Sequence, residues 1–194
     1  MKFIKDEEFI RGNCPMTKED IRINSICKLD IKEDSNVLDI GSGTGSITVQ
    51  CSMLCPKGTV YSIEKDEDAI DVSKKNFNKF NCNNIKFLEG DAVEHLNKLL
   101  NENIKFDSIF VGGSGGSLEE ILKLSNKLIK SSGKLVMNFI TLKNVYDAIK
   151  VIENLNYKVY VTMLQVSKSK GKSLMLIANN PIFIVECRKE DING

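Results

Sequence analysis

The feature that most limits what this chain can become is a glycine-rich turn set between a strand and a helix. Val37-Leu38-Asp39-Ile40 is a short, mostly apolar run that gives way to Gly41-Ser42-Gly43-Thr44-Gly45, after which Ser46–Leu54 reads as a helix. Glycine suits such a turn for two reasons. The backbone must turn with positive φ, and a ligand must approach the main chain without meeting a Cβ. The helix N-terminus beyond adds exposed N–H donors. The spacing is GxGxG, because Ser46 stands where the dinucleotide fingerprint requires a third-position glycine. A ligand smaller than a dinucleotide is therefore favoured.

The rest of the chain repeats that strand-then-helix rhythm. Strands are expected at Asn36–Ile40, Thr59–Ile63, Ile85–Glu89, Phe106–Val111, Gly133–Phe139, Lys158–Val166 and Leu174–Cys187, the last broken at Asn179-Asn180-Pro181. Helices are expected at Lys18–Leu29 with Thr17 as N-cap, then Ser46–Leu54, Glu67–Phe80, Ala92–Leu100, Leu118–Ile129, and Leu142–Leu155 capped by Thr141. Alternation of this kind makes βαβ units, a parallel sheet and helices on both faces. The end differs. Only Ser167–Ser173 separates the last two strand-like segments, too little for a crossover helix, so those two must run antiparallel.

Composition narrows the class. At 194 residues, with 42% hydrophobic and 27% charged residues and no repeat or linker, the chain reads as one globular domain over 1–194. A net charge of +1 argues against a global grip on nucleic acid or membrane. No apolar run has signal-peptide or bilayer-spanning length, so the cytoplasm is the expected compartment. The six cysteines form no CxxC pair; Cys51 and Cys55 share a helical face, but packed, reduced thiols are expected rather than a metal site.

Two further elements fall in register with the glycine turn. Glu64 ends the second strand, 19 residues past Gly45, where a carboxylate can accept hydrogen bonds from a free ribose diol. The third strand ends in Glu89-Gly90-Asp91-Ala92, the next loop at the same sheet edge, where an adenine ring would lie. With these three elements the sequence resembles the class I methyltransferases, whose Rossmann-like sheet has seven strands with the last inserted antiparallel. The resemblance implies S-adenosylmethionine as cofactor, held by Thr17, Asp39, Gly41, Ser42, Gly43, Thr44, Gly45, Glu64, Asp91 and Ala92.

After the fourth strand, base-nitrogen methyltransferases carry an Asn/Asp-Pro-Pro-aromatic motif. This chain has Val111-Gly112-Gly113-Ser114-Gly115-Gly116 instead, an open, side-chain-poor floor suited to a bulky planar substrate. Together with Arg11-Gly12-Asn13-Cys14-Pro15-Met16-Thr17-Lys18 and Leu176–Ile184, this segment resembles the decarboxylating cobalt-precorrin-6B C15-methyltransferase family of anaerobic cobalamin biosynthesis over essentially the whole chain. The resemblance implies a cobalt-bearing, polycarboxylate tetrapyrrole as acceptor. Its C15 is methylated and its C12 acetate leaves as carbon dioxide, giving cobalt-precorrin-7. It also implies a homotetramer, a pathway association with a C5-methyltransferase, and residues 1–30 as a segment and helix covering the site. Arg11, Met16, Gly112, Gly113, Ser114, Gly115 and Gly116 become candidate substrate contacts. Glu64 stands where relatives often have Asp, and Ser42 where they often have Cys; neither change alters the role.

Methyl transfer from a sulfonium needs alignment more than side-chain chemistry, so no dedicated nucleophile and no protein metal are expected. His95 reads as an ordinary helix residue, lacking an orienting partner. Arg11, Lys18, Arg22, Lys168, Lys170 and Lys172 are candidate partners for substrate carboxylates. An RNA or protein methyltransferase on the same core, or a non-catalytic S-adenosylmethionine-binding module, remains open at this point.

Overall fold

The apolar runs assemble into a single seven-stranded sheet in a computed structural model that describes residues 3–155 and 157–189. The outermost residues of the expected 1–194 domain lie outside the described residues. Five strands run parallel: β1 (Asn36–Ile40), β2 (Thr59–Glu64), β3 (Ile85–Glu89), β4 (Phe106–Val111) and β5 (Ile129–Phe139). Beyond them come β6 (Tyr157–Leu164), β7 (Ser167–Lys170), β8 (Met175–Ala178) and β9 (Ile182–Lys189). The order is β3-β2-β1-β4-β5-β9-β6, with β9 antiparallel to both neighbours, as the short connection near the C-terminus requires. That connection is not a plain loop: Ser167–Lys170 pairs with Met175–Ala178 as a separate two-stranded hairpin. Its first strand, Ser-Lys-Ser-Lys, carries no apolar signal to read.

Helices α1 (Glu19–Leu29), α2 (Ser46–Leu54), α3 (Glu67–Lys79), α4 (Ala92–Asn101), α5 (Leu118–Leu128) and α6 (Leu142–Ile152) fill the gaps between strands. Strand alternation divides the core between two faces. Leu38, Ile40, Ile63, Leu135 and Met137 pack under α4, α5 and α6, while Val37, Val60, Phe110 and Val136 pack under α1 and α2. Cys51 and Cys55 belong to the second core, where the Cys55 thiol donates to the Cys51 carbonyl at 3.1 Å and burial pushes its pKa up to about 11. The fifth strand starts at Ile129 rather than Gly133. Ile129 pairs with Phe106 before the register shifts, and Gly133 returns the chain so tightly that a Cβ there would meet the Asp107 and Lys130 carbonyls at 3.0 Å.

The N-terminal segment is tied down by one side chain. Arg22 on α1 is fully buried. Its guanidinium donates to the Thr17 carbonyl at 2.7 Å, the Ile4 carbonyl at 2.5 Å and Asp6 Oδ1 at 3.2 Å, and lies 4.7 Å from the Phe9 ring centroid. Arg22 therefore serves the fold, correcting its assignment to substrate. Thr17 is not the N-cap of α1 either. Lys18 holds that position with no side-chain bond, and Asp6 Oδ1 accepts the Glu19 N–H at 2.8 Å from 13 residues upstream. Replacing Arg22 with alanine leaves the Ile4 and Thr17 carbonyls without this donor and Asp6 without its cation, with the Glu19 N–H still on Asp6. We expect Arg22→Ala to lower unfolding free energy by about 3–5 kcal/mol, read from urea denaturation, and to open residues 3–17 to proteolysis.

Candidate active site

Strand order reverses direction between β1 and β4, and a cavity of about 240 Å3 opens above that switch point. It is bordered by Gly41–Gly43, Glu64 and Lys65, Gly90–Val93, and Gly112–Gly115, with Pro15 and Thr17 reaching in from the N-terminal segment. The three loops expected to meet a cofactor are thus brought to one place.

The glycines of the first turn have φ values of +72°, +56° and +73° at 41, 43 and 45, which L side chains rarely adopt. The close approach they permit is made by the protein itself, and not first by a ligand. A Cβ on Gly41 would lie 2.7 Å from the Gly113 backbone, and one on Gly43 would lie 2.6 Å from the Pro15 carbonyl. The second glycine group divides similarly. Gly115 and Gly116 turn with φ of +55° and +95°, and Gly112 packs on Phe110 and the Gly41 carbonyl. Gly113 has ordinary φ, and a Cβ there would make only ordinary contact, 3.9 Å from the Gly41 Cα, so the side-chain-poor floor of the cavity rests mainly there.

Glu64 is held by three backbone donors. Gly43 N–H reaches Oε2 at 2.7 Å, and Lys65 and Asp66 N–H reach Oε1 at 2.8 and 3.0 Å. The carboxylate is fixed at the cavity edge; Oε1 is filled by its two donors, and Oε2 keeps acceptor capacity. Asp91 borders the cavity and caps α4, its Oδ1 accepting from Val93 N–H at 2.8 Å. The Ser42 hydroxyl is buried at the cavity and has no partner among the described residues. Anchored acid, unpartnered hydroxyl and cap fit the polar groups of an adenosyl ligand.

Several expected residues lie elsewhere. Thr44 and Gly45 do not line the cavity, and Met16 is buried outside it, lining a neighbouring hollow together with Thr17. Arg11 is exposed and borders neither this cavity nor its neighbours. Gly116 faces a groove between α5 and α6. Lys168 is taken by Asp20 at 2.6 Å. His95 Nε2 lies 3.0 Å from the Glu89 carbonyl and so donates to it, which leaves it a loop brace. Lys65 was not anticipated; it is the cavity's one cation among the described lining residues, and only its place beside Glu64 hinted at it.

Asp39 faces away from the cavity. It is fully buried below α2, where Thr48 Oγ1 donates to Oδ2 at 2.5 Å and Oδ1 has no partner among the described residues. Burial pushes its carboxyl up to about 7; the Thr48 hydrogen bond opposes this and the Glu64 charge adds to it. A carboxyl raised by folding takes up a proton as the chain folds, so its stabilising contribution is complete below 3.8 and is lost as pH rises to about 7. Asp39→Asn removes that dependence. The stability of the variant relative to the native chain should rise by about 1.4 kcal/mol for each pH unit inside that window. Urea midpoints taken at pH 5, 6, 7 and 8 check this; parallel curves would refute it.

Comparison with known proteins places these features in a family. A family model described as a precorrin methyltransferase domain matches residues 8–189. The chain is 42% identical to a probable cobalt-precorrin-6B C(15)-methyltransferase (decarboxylating) of Sulfurisphaera tokodaii, covering 94% of this chain and 95% of that protein. It is 33% identical to the cobalt-precorrin-6B C(15)-methyltransferase (decarboxylating) of Salmonella typhimurium, covering 97% of each. The crystal structure of a precorrin-6y C5,15-methyltransferase from Geobacter metallireducens superposes with a TM-score of 0.91 at 32% identity, over 97% of this chain and 96% of that one. Matched from its first helical turn to its last strand, the chain belongs to the precorrin methyltransferase domain family.

Proposed function

We propose that this protein transfers a methyl group from S-adenosylmethionine to C15 of cobalt-precorrin-6B and releases the C12 acetate as carbon dioxide. The observation that carries the reading is the end-to-end likeness to relatives that bear this activity in their names, centred on a cavity with an anchored acid. When bound, S-adenosylmethionine supplies a methyl group already activated on a sulfonium.

The residues that would hold it are Thr17, Gly41–Gly43 and Ser42, with Glu64 toward the ribose and Asp91 and Ala92 toward the base. Glu64 is preset by three N–H donors, so little reorganisation opposes binding. Pro15 and Thr17 narrow the opening from the N-terminal side, which limits water at the reacting centre. Alignment of donor and acceptor is then the chief service of the protein. Electrons freed on decarboxylation pass into the conjugated macrocycle, so no side chain need accept them.

A homotetramer is part of the same proposal. Leu174, Met175, Leu176 and Ile177 are 69%, 64%, 69% and 42% exposed on the β7–β8 hairpin, a run of neighbouring apolar side chains of the kind that serves association. Leu176→Glu should yield a smaller species in sedimentation velocity.

Incubation with labelled S-adenosylmethionine and, separately, cobalt-precorrin-6B, tRNA and an isoaspartyl peptide tests the activity. Label transfer with carbon dioxide release is expected from the precorrin alone; transfer to tRNA would overturn the assignment. Glu64→Ala should cost about 1–3 kcal/mol of donor binding by calorimetry.

A further inference from the structure

We propose that Asn138 orients the methyl acceptor in a trough adjoining the donor cavity, an inference that rests on the function proposed above. The trough measures about 180 Å3 and shares Pro15, Thr17 and Gly112 with the donor cavity, so a molecule lying in it meets the donor directly. Past Ile140 and Ile182 it continues into a second hollow of about 270 Å3 that reaches Lys18, Asn179 and Asn180. Most of the wall is apolar, which suits one face of a conjugated macrocycle. Ile140 is 71% exposed at the lip, an apolar side chain with nothing of its own chain to cover it.

Thr17, Lys18 and Asn138 are the polar side chains in that wall, and Asn138 is the one set into the sheet floor. Asn138 lies on the face of β5 that packs against α1, and Ser25 of α1 fixes its amide. The Ser25 hydroxyl donates its single proton to the Ile21 carbonyl at 2.8 Å, so toward Asn138 it can only accept, and Nδ2 donates to it at 2.9 Å. The amide is thereby set in one orientation. Oδ1 lies 3.1 Å from the same Ser25 oxygen, while the second N–H makes no other side-chain hydrogen bond among the described residues, and Asn138 borders the trough. A half-buried amide with unused capacity in an apolar slot calls for a polar group on the occupant. The carboxylates on the rim of a precorrin supply it, and Lys18 at the next step of the trough complements their charge.

The groove between α5 and α6 is larger, at about 750 Å3, but serves the acceptor less well. It shares only Ser114 with the donor cavity. Its Lys123 and Lys143 are already paired with Glu119 and Asp147, each at 2.7 Å.

The test compares the native enzyme with Asn138→Ala, Asn138→Asp and Ser25→Ala, measuring acceptor KM and kcat, donor Kd and thermal midpoint. Asn138→Ala should raise the acceptor KM about tenfold, as the loss of one hydrogen bond to a charged group implies, with donor Kd unchanged. Asn138→Asp should raise it further by repelling the carboxylate. Ser25→Ala, which frees the amide to rotate, should fall between native and Asn138→Ala. If alanine impairs folding, Asn138→Ser preserves a partner for Ser25 and repeats the measurement. An active Asn138→Ala enzyme with native acceptor KM and a lowered thermal midpoint overturns the inference, leaving Asn138 a brace between β5 and α1. A native enzyme inactive on cobalt-precorrin-6B overturns the functional assignment, and this inference with it.

Discussion

Everything at the site depends on two backbones lying closer than any side chain allows. Gly41 after β1 and Gly113 after β4 stand on either side of the point where strand order reverses, with no room for a Cβ on Gly41. That contact brings the β1–α2 and β4–α5 loops into one wall. It also leaves Gly43 N–H free to turn toward Glu64 on β2, so a single close approach links three strands to the cavity. The glycines were read as making room for a ligand. The room is first used by the chain, and the ligand site is what remains when two turns have packed.

The roof is assembled by different physics. Residues 3–17 contain little regular structure and are held by buried polar groups that must be satisfied. Arg22 gathers the carbonyls of Ile4 and Thr17 with the Asp6 carboxylate. Asn76 on α3 bonds both the N–H and the carbonyl of Ile10, at 2.8 and 3.1 Å, and also donates to Thr44 at 2.9 Å. Pro15 then accepts the Thr44 N–H at 3.4 Å, which lays the segment across the glycine turn. Apolar anchors such as Ile4, Phe9 and Met16 contribute burial, but the directional bonds choose where the segment lies.

What the sequence disclosed follows from the range of each interaction. Strand and helix periods are local, so β1 to β4 and all six helices were legible, as was the antiparallel insertion forced by a short connection. The GxGxG turn, Glu64 and Asp91 were legible because strand ends put them at one edge. The cap of α1 was misread at Thr17 because the acceptor that replaces it is Asp6, far upstream. Arg22 was misread for the same reason: a charged residue on a helix looks solvated until the segment that buries it is in place. The β7–β8 hairpin escaped because its polar strand carries no period-2 signal.

The two halves of the site therefore differ in how substitution would reach them. The donor half is made of backbone N–H groups, glycine turns and one fixed carboxylate. Changes there act through φ and close packing, and few replacements are tolerated. The acceptor half, as proposed, is made of side chains on rigid elements, Asn138 and Ile140 around the end of β5, Ile182 on β9 and Met16 on the roof. Those positions can vary without disturbing the turn, because the sheet beneath is held by its own two cores. A fold arranged this way keeps one donor while fitting different acceptors, which is consistent with the same sheet carrying different substrates and with the acceptor being the harder half to read from sequence.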